Sequence, residues 1–197
     1  MTPYDSVASL YADLFSDMLD TRPLDRAMLA AFAELTENPV ADLGCGPGHL
    51  TAHLHGLGLD VFGIDLSPEM IALARQAHPH LEFDVGTMAA LDLGDGSLGG
   101  ILANYSVIHV PPHDLPKVFA EFHRVLRPGG HALIGFFAGD DPEPVEFDHR
   151  VTPAYRWSPS GLLDLAREAG FAEIGRMVRQ PIESERFLQA QLLMCKA

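Results

Sequence analysis

With 197 residues, 47% of them hydrophobic and 20% charged, the chain has ordinary globular usage and can bury one sizeable core, which excludes disorder along its whole length. Acidic residues outnumber basic ones 27 to 13, a formal net charge of −14. Such a surface repels phosphate backbones and anionic lipid, so neither nucleic acid nor a membrane is expected as a partner. The only cysteines, Cys45 and Cys195, make no disulfide framework. Met1–Asp5 lacks a basic stretch followed by an apolar one, and no apolar run approaches the roughly 20 residues that span a bilayer. A cytoplasmic location is the expectation.

In chain order, apolar residues first recur at helical steps: Val7, Leu10, Tyr11, Leu14, Phe15 and Met18, then Leu24, Met28, Leu29, Phe32 and Leu35. Residues 1–37 therefore read as an N-terminal helical cap, ended by Asn38-Pro39. Short apolar runs then alternate with helical stretches. Val40 to Leu43 is a buried strand and Leu50 to Leu57 a helix; Asp60 to Ile64 is the next strand, and Ser67-Pro68-Glu69 opens a helix with an N-cap serine and a proline at its first position. Strands follow at Leu81 to Val85 and at Leu98 to Ala103, a helix at Leu115 to Leu126, and a strand at His131 to Phe137 after the turn Pro128-Gly129-Gly130. Residues 138–157 hold three prolines without clear periodicity and read as a substrate lid or binding loop. Ser158-Pro159 caps a last helix, stopped by Gly170. The stretches Ala172 to Ile182 and Arg186 to Met194, joined only by Glu183-Ser184-Glu185, should pair antiparallel. The expected fold is a single α/β domain over residues 1–197: Rossmann-like, doubly wound, with a mainly parallel seven-stranded sheet and a C-terminal antiparallel hairpin.

The segment Asp42-Leu43-Gly44-Cys45-Gly46-Pro47-Gly48-His49 carries the most chemical information. Glycines at 44, 46 and 48 follow a strand and precede a helix, where a backbone without Cβ atoms can turn sharply and approach a ligand. Asp42, just before them, can receive an ammonium group, whereas a pyrophosphate site would not want that charge. Asp65 ends the second strand 21 positions after Gly44, where an acid can accept both ribose hydroxyls. The spacing G-x-G-x-G with Pro47 inside favours an amino-acid-bearing nucleoside over NAD.

Asp42-Leu43-Gly44-Cys45-Gly46-Pro47-Gly48 resembles motif I of class I S-adenosylmethionine-dependent methyltransferases; Gly63-Ile64-Asp65-Leu66-Ser67-Pro68-Glu69-Met70-Ile71 resembles their second motif, and Val125-Leu126-Arg127-Pro128-Gly129-Gly130 their turn before the fifth strand. The likeness covers roughly residues 38–197 and is nearest to small bacterial stand-alone enzymes of the type 11/25 kind, with a Y-x-x-x-A-x-x-Y leader matched here by Tyr4, Ala8 and Tyr11. It implies S-adenosylmethionine as cofactor, S-adenosylhomocysteine as product and no metal. Asp42, Gly44, Cys45, Gly46 and Gly48 would face the methionine part. Asp65 would hold the ribose diol, Leu66 would lie against the adenine, and Gly86, Thr87 and Met88 match the loop after the third strand. Many relatives have Asp where this chain has Thr87, which implies weaker adenine recognition there. Asn104 and Tyr105 would line the boundary between cofactor and acceptor, and Tyr11 would cover the cofactor carboxylate.

If the acceptor is a hydroxyl or ammonium, a base must take its proton. His109, five residues past Asn104 where the chain leaves the carboxyl edge of the sheet, is the candidate; its alternative role is to hold the turn before Pro111-Pro112. His149, Tyr155 and Trp157, with Phe136, Phe137, Phe147 and Arg156, are candidates for the acceptor pocket. His49, His53 and His55 read as a solvated helix face rather than metal ligands. The motifs of adenine-N6 DNA methylation (N-P-P-Y) and protein arginine methylation (a paired-glutamate loop) are missing after the fourth strand. The expected acceptor is a metabolite, natural product or quinone-like small molecule, attacked at O, N, S or C, and the expected assembly a monomer or homodimer. The alternatives are an inactive methyltransferase-like binding module or partner subunit and, less compatible with Asp42, an NAD-dependent oxidoreductase.

Overall fold

The computed structural model describes residues 2–5, 8, 19–149 and 151–197. Strands β1 (Val40–Leu43), β2 (Val61–Asp65), β3 (Phe83–Val85), β4 (Leu98–Asn104), β5 (Leu126–Ala138), β8 (Phe171–Arg179) and β9 (Leu188–Lys196) form one sheet in the order β3-β2-β1-β4-β5-β9-β8. The first five run parallel and β9 pairs antiparallel with both β5 and β8, so the expected doubly wound sheet and terminal hairpin are present. Helices α1 (Pro23–Leu35), α2 (His49–Gly56), α3 (Pro68–Ala77), α4 (Leu115–Val125) and α5 (Pro159–Glu168) cover it. Ser67 and Ser158 cap α3 and α5 by accepting the Met70 and Gly161 amides, with proline following each, as the sequence predicts.

Side chains alternate across the strands, which splits the core in two. Leu102, Leu133 and Leu193 pack with Leu29 and Phe32 of α1 and Leu50 and Leu54 of α2. Ile101, Ala132, Ile134 and Leu192 face the other way, onto Phe119 and Phe122 of α4 and Leu162 and Leu163 of α5. Leu126 pairs with Leu98 and His131 with Gly100, so residues 127–130 bulge out as the predicted Pro-Gly-Gly turn. The segment 138–157 carries order of its own: β6 (Val145–Asp148) and β7 (Pro153–Arg156) pair antiparallel, and the backbone of Trp157 hydrogen-bonds to Phe137 and Gly139 at the end of β5. Among the described residues no helix is long and apolar enough to cross a membrane.

Candidate active site

The chain winds outward from β1 to β3 on one side and restarts at β4 on the other, leaving a crevice at the carboxyl ends of β1, β2 and β4, where ligands of open α/β sheets bind. A cavity of about 930 Å³ opens there. Its first wall is the turn from β1 into α2. Gly44 has φ +74°, and a Cβ on it would lie 2.3 Å from Cβ of Ser106, whose hydroxyl donates to the Leu43 carbonyl at 2.6 Å. The glycine is thus needed by the loop after β4 as well as by any ligand. Gly46, φ +55°, aims its amide at Asp65 Oδ2 at 2.9 Å, and the Ser67 amide reaches Asp65 Oδ1 at 2.8 Å. Each Asp65 oxygen thus accepts a backbone amide and keeps lone-pair capacity for a further donor. Burial raises the Asp65 carboxyl above its ordinary range, against the opposing pull of the Ser67, Gly46 and Leu66 amides.

Asp42 is almost fully buried and accepts the Thr51 hydroxyl at 2.7 Å. Burial pushes its carboxyl up to about 7; the Thr51 bond opposes this and the Asp65 charge adds to it. No basic side chain among the described residues offsets it, so the site holds a buried acid that lacks a cation.

Gly86, Thr87 and Met88 after β3, with the exposed Leu66, form the outer end of the cavity. The Thr87 hydroxyl accepts the Ala89 amide at 3.3 Å. At the inner end Asn104 Oδ1 accepts from Gln191 Nε2 at 3.3 Å. Tyr105 is the one non-glycine among the described residues with positive φ, 56°. Its ring lies 5.0 Å from that of Phe137 and its hydroxyl is buried without a partner. Strained backbone of this kind persists where the surroundings over-determine it, commonly at functional sites.

His109 sits in the short 3₁₀ turn Val107–His109 that follows β4. Its Nδ1 lies 3.1 Å from the Pro153 carbonyl, which can only accept, so Nδ1 carries the proton and Nε2 keeps a lone pair. The Tyr4 hydroxyl donates to that Nε2 at 2.6 Å. Burial lowers His109 to about 4, against the Pro153 contact, so the ring is neutral around pH 7. His149 stands 5.0 Å away, ring to ring, and Phe137, Phe147 and Phe187 continue the aromatic wall, the last two with rings 4.7 Å apart.

The structure therefore brings Asp42, Gly44, Cys45, Gly46, Asp65, Leu66, Gly86, Thr87, Met88, Asn104, Tyr105, His109 and His149 to one cavity. Gly48, with φ +84° and packed on Phe83, stands behind the loop. Tyr155 and Trp157 do not line the cavity: the Tyr155 hydroxyl bonds Glu146, and Trp157 belongs to the core. Tyr11 lies outside the described residues. His49 is not on a solvated face; both of its ring nitrogens are buried without partners, it lines the cavity, and burial lowers it to about 4. Among the described residues no three His, Cys, Asp or Glu side chains are grouped to hold a metal.

Sequence reasoning missed Tyr4 as a site residue and a buried ion cluster beside Tyr105. Arg179, at the end of β8, donates to Asp25 of α1 at 2.8 Å and grips both oxygens of Glu185 at 2.5 and 2.9 Å; Arg22 reaches Glu185 at 2.9 Å. No local pattern signals this cluster, whose partners come from the start of α1 and the β8–β9 turn.

Residues 40–130 match the family model of a methyltransferase domain. The chain is 32% identical over 146 residues to a demethylmenaquinone methyltransferase from Beutenbergia cavernae, covering 73% of this chain and 60% of that protein. A protein of the same name from Chlorobaculum parvum is 39% identical over 99 residues, half of this chain and 40% of the relative. The chain is thus similar to methyltransferases over the segment that carries the glycine turn and both acids. It spans only 40% to 60% of the length of these curated relatives. Among solved structures, the 1,6-didemethyltoxoflavin-N1-methyltransferase of Burkholderia thailandensis, with 1,6-didemethyltoxoflavin and S-adenosylhomocysteine bound, superposes with a TM-score of 0.70 at 25% identity, covering all of this chain and 91% of that one. A methyltransferase from Methanosarcina mazei gives a TM-score of 0.71 at 20% identity, covering 80% and 91%.

Proposed function

We propose that this chain transfers a methyl group from S-adenosylmethionine to a small-molecule acceptor with an aromatic or conjugated face. The observation that carries the reading is Asp42: a buried carboxylate beside the glycine turn, raised to about 7 by that burial, in the same cavity as Asp65. The donor set fits the cofactor. Asp42 suits the methionine ammonium, the remaining lone pairs of Asp65 suit a ribose diol, and Leu66 with Gly86, Thr87 and Met88 suits the adenine. When bound, the cofactor supplies a methyl on a sulfonium, a donor reactive enough that the protein mainly aligns the acceptor and excludes water.

The aromatic wall of Phe137, Phe147, Phe187 and His149 can stack a flat acceptor, and Asn104 and Tyr105 stand between it and the glycine turn. A neutral His109 with Nε2 unprotonated can take the proton of an acceptor hydroxyl or amine. Relatives named for demethylmenaquinone and didemethyltoxoflavin support a small acceptor.

Titration calorimetry with S-adenosylhomocysteine tests the cofactor half. The chain should bind it, and Asp65→Ala should weaken binding by about 1–3 kcal/mol, the loss of hydrogen bonds to a charged group. An unchanged dissociation constant would remove Asp65 from the site. Screening flat phenolic and heteroaromatic acceptors for S-adenosylhomocysteine release tests the other half: His109→Gln should cut turnover far more than it weakens cofactor affinity. Binding without turnover of any acceptor would favour the inactive-module reading.

A further inference from the structure

Tyr4 and Asp5 are adjacent in the chain yet hold opposite walls of the cavity. Asp5 lies in a turn closed by Thr2, whose amide and hydroxyl donate to its two oxygens at 2.6 and 2.9 Å. Asp5 Oδ1 also accepts the Ser67 hydroxyl at 2.5 Å, over a separation of 62 residues. Ser67 is no ordinary surface partner. It is the N-cap of α3, accepting the Met70 amide, and its own amide is one of the backbone donors that orient Asp65. Asp5 is therefore one hydroxyl away from the carboxylate assigned to the ribose. The next side chain back, Tyr4, reaches across to Nε2 of His109, the atom assigned to take the acceptor's proton, while Nδ1 is pinned by Pro153 of β7.

We propose that Tyr4 and Asp5 are positioning residues forming a two-armed clasp, which makes the orientation of Asp65 on the cofactor wall and of His109 on the acceptor wall a single coupled event. The proposal rests on the cofactor reading above. Its physical content is rigid connection: neighbouring residues of a turn that Thr2 closes cannot release one wall without disturbing the other. Cofactor held by Asp65 then favours the arrangement in which Tyr4 occupies Nε2 and the acceptor side is set, and by linkage a secured His109 favours cofactor binding. An acceptor hydroxyl or amine arriving at Nε2 takes the place of the Tyr4 hydroxyl, so the phenol also holds that position against bulk water.

The experiment needs no acceptor. The intact chain, with ¹⁵N-labelled histidine, is titrated with S-adenosylhomocysteine while the His109 ring signals, identified by their loss in His109→Gln, are followed by NMR. In the unaltered protein saturation should shift the His109 Nε2 signal. Asp5→Leu, which removes the acceptor of the Ser67 hydroxyl, should abolish that shift and weaken binding about fivefold or more, the lower end of measured coupling between sites. Tyr4→Phe should weaken binding to a similar extent, and the double variant should be no weaker than the weaker single one, because each change opens the same clasp. Both substitutions keep side-chain shape, and thermal melting confirms the fold. An unmoved His109 signal in the unaltered protein, the same shift persisting in Asp5→Leu, or additive losses in the double variant would each overturn the clasp while leaving the cofactor site standing. Failure of the unaltered chain to bind S-adenosylhomocysteine at all would overturn the cofactor reading and the clasp with it.

Discussion

Replacing Asp42 by Asn is expected to stabilise the cofactor-free protein above neutral pH while disabling its site. The wild-type carboxyl has an ordinary value of 3.8 when exposed and is raised to about 7 in the fold, first by burial and then by the Asp65 charge, with the Thr51 hydroxyl opposing. Between those values the unfolded chain releases a proton that the folded chain keeps. The native state therefore loses stability as pH rises through this window, and the loss is complete above it. At about 1.36 kcal/mol per pH unit, the window amounts to roughly 4 kcal/mol, an upper bound for the burden of this one charge. Asn keeps the shape and an oxygen for the Thr51 hydroxyl but cannot ionise. Urea denaturation should find the variant more stable than wild type by up to about 4 kcal/mol near pH 8 and nearly equal to it near pH 4. The same variant should lose most of its affinity for S-adenosylhomocysteine, because the ammonium no longer meets a carboxylate. A stability difference that is identical at the two pH values would refute the argument, since only a titrating buried charge produces the slope.

Gly44→Ala places a Cβ 2.3 Å from Cβ of Ser106 at a φ of +74°, and strain of this kind costs on the order of 1–3 kcal/mol or more; adding Ser106→Gly should restore part of the loss in chemical denaturation, whereas no recovery would point to backbone strain alone. Arg179→Ala should destabilise by about 3–5 kcal/mol, because Asp25 would be left buried without its cation while Glu185 keeps only Arg22; a loss below about 1 kcal/mol would mean that water enters the cluster freely. Turnover limited by His109 should be flat from about pH 5 to pH 8 and fall only as pH drops towards about 4, where the ring gains its proton; a rise centred near pH 6.5 would show an exposed, unshifted histidine.

Much of the frame is legible in the chain because it is written in local chemistry. Short continuous apolar runs, Ser-Pro caps and glycine-rich turns each act within a few residues, so β1, β2, β4 and the starts of α3 and α5 fall where the sequence places them. The tips of those strands bring Asp42 and Asp65 together by the geometry of a parallel sheet, which any sequence with that order of elements must obey. The hairpin of β6 and β7 was less legible. Its strands are four residues each, and their apolar alternation is too brief to stand out among prolines and acids.

The sequence by itself thus determined the fold class, the glycine turn and the two acids, all of which follow from spacing along the chain. Only the tertiary structure decided what surrounds them: that Tyr4 meets His109 across 105 residues, that Arg179 meets Asp25 across 154, and that His49 turns inward rather than to solvent. The reason is physical. A hydrogen bond or ion pair between distant segments depends on how whole layers pack, and a side chain leaves no local mark of the partner that the folded layers deliver to it.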